Sequence, residues 1–149
     1  FYSLVQPPVM DFSYYNTQIH GITATDVKNM PTFPSIWAEL KGYLNNNIVL
    51  AHNASFDMSV LKSILNTYNL EKPNFKYYCT VSLAKKVWPE LENHKLNTLA
   101  SYFNINFKHH NALHDSKVCA MVAVLATRKL NSKNFAQLIT KLNLKDNKF

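Results

Sequence analysis

Ile48-Val49-Leu50-Ala51 is an unbroken apolar run set between Asn46-Asn47 and His52-Asn53. A strand with one wet face alternates apolar and polar residues, whereas a short continuous run is expected of a strand covered on both faces, as in sheets enclosed by helices. Directly after it, Phe56, Val60, Leu61, Ile64, Leu65 and Tyr68 recur at helical spacing over residues 54–69. Residues 75–81 then form an aromatic and β-branched stretch that reads as a second strand. Strand, helix, strand in this order predicts an α/β architecture.

The rest of the chain fits that alternation. Residues 1–6 alternate weakly and stop at Pro7-Pro8, which predicts an edge strand. Residues 23–30 read as a short helix, and residues 34–45 as a longer one with Ile36, Leu40, Tyr43 and Leu44 inward. Short helices are expected over 82–88, stopped by Pro89, and over 95–103. A strong helix is expected over 114–130, with Val118, Met121, Val122, Leu125 and Leu130 inward. No repeat or low-complexity linker divides the chain, so residues 1–149 read as a single domain. Residues 131–149, with Phe135, Leu138, Ile139 and Leu142 between lysines, read as a helical extension that packs on its own domain or docks a partner such as a polymerase subunit.

Sixteen basic against nine acidic residues give a formal charge of +7, and all but Arg128 of the basic residues are lysines. Such a balance suits a polyanionic partner held through phosphates without regard to sequence, or simply a soluble basic surface. No apolar run approaches the ~18 residues of a membrane span. A cytoplasmic protein without a membrane partner is the expectation. Cys79 and Cys119 lack the spacing of a zinc site or a disulfide framework and read as structural thiols.

Two segments carry acid–histidine chemistry: His52-Asn53-Ala54-Ser55-Phe56-Asp57 and His110-Asn111-Ala112-Leu113-His114-Asp115. Phosphodiester hydrolysis by metal ions needs carboxylates for hard divalent cations and a base for the attacking water. Asp57 and Asp115 are candidate metal ligands and His110 the candidate base, since an imidazole is readily neutral near pH 7. Asp57 falls in the first turn of a helix at the end of a strand, where the helix dipole favours an ionised carboxylate and α/β proteins commonly bind ligands. A helix-capping aspartate is the plainer alternative. His109, His110 and His114 also invite a zinc reading, but His110 precedes the helix and no third ligand of suitable type lies near it in sequence.

With Ile19-His20-Gly21-Ile22-Thr23, Pro31-Thr32-Phe33 and His94-Lys95-Leu96-Asn97-Thr98-Leu99-Ala100, these segments stand in an order that resembles the histidine subtype of the DnaQ-like 3′-to-5′ exonucleases. The proofreading epsilon subunit of bacterial DNA polymerase III exemplifies that family. The resemblance implies a ribonuclease-H-like mixed sheet flanked by helices, and release of nucleoside monophosphates from DNA ends. It implies Mg²⁺ or Mn²⁺ at a two-metal site. Asp115 would hold the tighter ion, Asp57 the second largely through water, and His110 would be the base. His20, Ile22 and Asn53 would contact the substrate, and His114 would stand by. Single-stranded DNA 3′ ends are the expected partner, with RNA open, because discrimination rests on one 2′-hydroxyl.

One departure stands against the matches. The family's first motif, Asp-x-Glu on the first strand, has no counterpart: Glu90-Leu-Glu92, the nearest imitation, follows Trp88-Pro89. The chain is therefore expected to lack the first two strands, roughly 20–30 residues with their turns, and to be completed by an upstream segment or a partner. On its own it is expected to be inactive or severely impaired. A catalytically degenerate module that binds nucleic acid or a polymerase is the alternative function.

Overall fold

The computed structural model describes residues 1–106 and 110–149. Among these, helices α1 (Tyr14–His20), α2 (Ala24–Val27) and α3 (Phe33–Leu44) precede strand β1 (Ile48–Ala51). Helix α4 (Ala54–Thr67) connects β1 to β2 (Lys76–Cys79). The helices α5 (Thr80–Val87), α6 (Leu96–Tyr102), α7 (Ala112–Lys129) and α8 (Phe135–Leu142) follow, and β3 (Asn147–Lys148) closes the chain.

The sheet is mixed. β1 and β2 run parallel, from Ile48 opposite Lys76 to Ala51 opposite Cys79, joined by the α4 crossover. β3 pairs antiparallel on the other side of β2, with Lys76 opposite Lys148 and Tyr77 opposite Asn147. Order β1-β2-β3 leaves β1 an edge strand among the described residues. That position corrects the expectation of a strand covered on both faces: Ile48 is 47% exposed and the rest of β1 is half-buried.

Two larger helical cores lie about the sheet, and a smaller cluster of Leu96, Ala100 and Val118 joins α6 to α7. One gathers Phe33 and Trp37 of α3, stacked at 5.5 Å, against Leu65 of α4, with Val5 and Phe149 alongside. The other joins Leu83 and Val87 of α5, Leu99 of α6, Val122 and Ala126 of α7, and Leu138 of α8. The expected mixed α/β sheet flanked by helices is therefore present.

Several local expectations are corrected. Residues 1–6 form no ladder, and their one pairing is a bridge from Gln6 to Thr32. Helix α1 was not expected, since only Ile19 among its apolar residues has an aliphatic side chain and none is buried. The extension over 131–149 is helical only in α8; Asn143 in the left-handed conformation ends that helix, and the chain turns back to add β3. Tyr43 and Met121, expected inward, are exposed, as are Phe56 and Val60 of the helical pattern in α4.

Candidate functional site

β1 ends at Ala51 and delivers the chain through His52 and Asn53 into α4, while β2 passes straight into α5. The carboxyl ends of both parallel strands thus open on one side, where open α/β sheets offer a crevice. A cleft of about 1170 Å³ lies there. Asp57, Asn53, His110 and Asp115 all line it, so four of the six residues singled out from sequence come together. His20 and Ile22 do not line it. The His20 Nδ1 instead accepts the Ile22 N–H at 3.0 Å, and Gly21 caps α1 with φ +72°, a conformation glycine adopts without a Cβ penalty.

The helix starts explain the placement. Asn53 is the N-cap of α4 in the left-handed region, φ +68°, which asparagine tolerates better than most residues. Asp57 follows in the first turn and is not the cap, which removes the capping reading. Asn111 caps α7, its Oδ1 accepting the His114 N–H at 3.1 Å, and Asp115 follows in that first turn. His110 precedes the cap with φ +62° and is exposed at the cleft. His114 does not line the cleft, and His109 lies outside the described residues.

Burial decides the electrostatics of Asp57. Desolvation raises its pKa above the ordinary 3.8, although part of the side chain meets solvent, so the helix start does not dominate as expected from sequence. Cys119, buried beneath the cleft, is pushed up to about 11, chiefly by burial. Cys79 goes the other way. Burial opposes ionisation, yet backbone N–H groups of Ser82, Ala54, Val81 and Asn53 converge on the sulfur and lower its pKa.

Beneath the site lies a residue that sequence reading passed over. Thr80, fully buried, has its Oγ1 2.9 Å from His52 Nδ1 and 3.4 Å from Cys119 Sγ. His52 is thereby held against the start of α5 while lining the cleft. Opposite, the 91–95 loop is fixed by His94 Nε2 bonding to the Trp88 carbonyl at 2.9 Å. The family-like segment beginning at His94 was the available signal for that wall; nothing in sequence singled out Thr80.

Among the described residues, no group of three or more histidine, cysteine or acidic side chains is gathered to enclose a metal ion. Asp57 and Asp115 supply two carboxylates on one cleft. That donor set fits a hard divalent cation shared with a bound phosphate, the usual manner of Mg²⁺, and does not fit an ion caged by protein alone.

The RNase_T family model, described as exonuclease, matches residues 1–123. The chain is 32% identical over 117 residues to the PolC-type DNA polymerase III of Oceanobacillus iheyensis, covering 78% of this chain and 8% of that protein. It is 32% identical over 134 residues to the DNA polymerase III subunit epsilon of Buchnera aphidicola subsp. Baizongia pistaciae, covering 85% and 54% respectively. The chain thus spans a small part of the first and about half of the second. Its fold is similar to that of exonuclease X in complex with 5′ overhanging duplex DNA, with TM-score 0.70 and 24% identity over 93% of this chain and 78% of that one.

Proposed function

The chain belongs to the RNase_T exonuclease family, and from that premise we propose that it is the nuclease domain of a metal-dependent 3′-to-5′ exonuclease acting on DNA ends in replication proofreading. The observation that carries the reading is the meeting of Asp57, Asp115 and His110 on one cleft at the carboxyl ends of β1 and β2. Asp57 and Asp115 would hold Mg²⁺ or Mn²⁺, which when bound would supply electrostatic stabilisation of the phosphate and the leaving 3′ oxygen. His110 takes the proton of the attacking water at a ring nitrogen. Asn53 orients the terminal nucleotide. A polymerase subunit is the proposed partner in the cytoplasm, in keeping with the relatives' names.

One observation favours a second reading. Two carboxylates are fewer than a pair of metal ions needs, and no larger donor cluster exists among the described residues. The domain by itself would then bind nucleic acid without cutting it. Incubation with 3′- and 5′-labelled DNA strands in Mn²⁺, with an EDTA control, separates the two. Stepwise EDTA-sensitive release of mononucleotides from the 3′ end supports the exonuclease. Binding without cleavage supports the binding module, and absence of both sinks the two together.

A further inference from the structure

Resting on the nuclease reading above, we propose that Lys85 and Lys95 form a phosphate-binding rail that holds the nucleic-acid strand leading to the scissile end. Both lysines line the same cleft as Asp57 and Asp115, one from α5 and the other from the start of α6. Their backbones are fixed. α5 buries Leu83, Ala84 and Val87, which turns Lys85 outward, and its neighbour Lys86 is occupied by the Leu142 carbonyl at 2.9 Å. Lys95 is the N-cap residue of α6, its N–H donating to Asn93 Oδ1 at 3.0 Å, while the same oxygen accepts from Thr98 Oγ1 at 2.7 Å.

The charge arrangement gives these cations a task. Lys41, Lys76 and Lys129 each meet a carboxylate, whereas Lys85 and Lys95 have no ion pair among the described residues, even with Glu92 on the same cleft. Asp57 and Asp115 repel a phosphodiester chain, so a strand that reaches them needs cations along its path. Ammonium groups act as point charges and hold phosphate without reading bases. The cleft, at about 1170 Å³, lies beyond the roughly 300–1,000 Å³ of ordinary small-ligand pockets and has room for more than a terminal nucleotide.

The test is anisotropy of a fluorescein-labelled oligothymidylate with the 149-residue chain in EDTA, across a salt series. Lys85→Ala/Lys95→Ala should weaken binding and reduce the slope of log K against log salt by about 1.4, at about 0.7 per phosphate contact on a single strand. Lys85→Arg/Lys95→Arg should keep the wild-type slope. Lys72→Ala/Lys145→Ala, which removes the same charge outside the cleft, should leave the slope unchanged. A wild-type slope in the cleft double variant, or an equal loss in the control, overturns the rail and leaves the nuclease reading standing. Failure of the wild-type chain to bind DNA or RNA oligomers in EDTA overturns the rail, and the nuclease reading falls with it only if 3′ cleavage in Mn²⁺ is absent as well.

Discussion

Asp57 and Asp115 occupy the same position in two different helices, each the fourth helical residue after an asparagine N-cap, Asn53 for α4 and Asn111 for α7. The first-turn site points both carboxylates at one cleft although the residues lie far apart in sequence. The caps differ in kind. Asn111 uses its side chain on the His114 N–H, whereas Asn53 makes no such bond and turns the backbone through a left-handed conformation. Repetition of the motif thus fixes where the acids stand, and burial raises the pKa of Asp57.

Asp57 gives the first prediction. A carboxyl whose folded pKa lies above 3.8 is bound to its proton more tightly in the folded than in the unfolded chain. Stability therefore falls as pH rises from the unfolded toward the folded pKa, and stays lowered above it. Asp57→Asn should raise Tm at pH 7 by about a degree or two and have little effect near pH 3. Magnesium should reverse the order. An ion at ten times its Kd stabilises the wild-type chain by about 1.4 kcal/mol, about 3–5 °C in a chain of this size, and should do little for Asp57→Asn. Thermal melts with and without Mg²⁺ decide; identical responses of the two proteins would remove Asp57 from the metal site.

His110 is separable from binding. His110→Ala should lower single-turnover cleavage by about 10²–10⁴-fold while leaving the affinity for a DNA strand in EDTA unchanged. Loss of affinity in parallel with rate would make His110 a substrate contact rather than the base.

The two cysteines should react in a fixed order. Cys79 is half-buried with its thiol lowered by four backbone N–H groups, while Cys119 is buried and pushed up to about 11. The thiolate is the reactive form. Limited iodoacetamide at pH 8 should therefore modify Cys79 first, as read by peptide mass, and labelling of Cys119 should follow only on unfolding. Equal labelling would contradict the convergence of amides on Cys79.

The candidate site was more legible in sequence than its surroundings. Asp57, His110 and Asp115 announce themselves through local motifs, and a first-turn acid after a strand keeps its place whatever the rest of the chain does. Phe56 and Val60 could not be placed in the same way. Helical spacing assigns apolar residues to a stripe, but only the neighbouring elements decide which part of it is covered, and Phe56 is 65% exposed. Thr80 was invisible because a threonine that bridges His52 and Cys119 has no pattern in one dimension. β3 was missed for a related reason. Two residues, Asn147 and Lys148, carry no strand signal, and their pairing comes from what flanks them: Phe149 stacked on Phe75 at 4.8 Å and Asp146 bound by Lys76 and Tyr78.

That anchorage supplies the last prediction. Hydrogen bonds from Lys76 and Tyr78 hold the Asp146 carboxyl below the ordinary 3.8. A depressed folded pKa means stability that is fully present above the unfolded value and lost as pH falls through the folded one. Wild-type and Asp146→Asn chains should thus differ by a constant urea midpoint from pH 5 to 7 and converge below pH 4, with the variant the weaker at neutral pH. The effect should be local, because Asp146 is exposed and serves only the return of β3 to the sheet. Amides of 145–149 should exchange faster in the variant, while those of Leu65 and Leu99, in the two larger helical cores, should keep their protection. Uniformly faster exchange would show instead that β3 is part of the cooperative core, and that the helical layers depend on a two-residue strand.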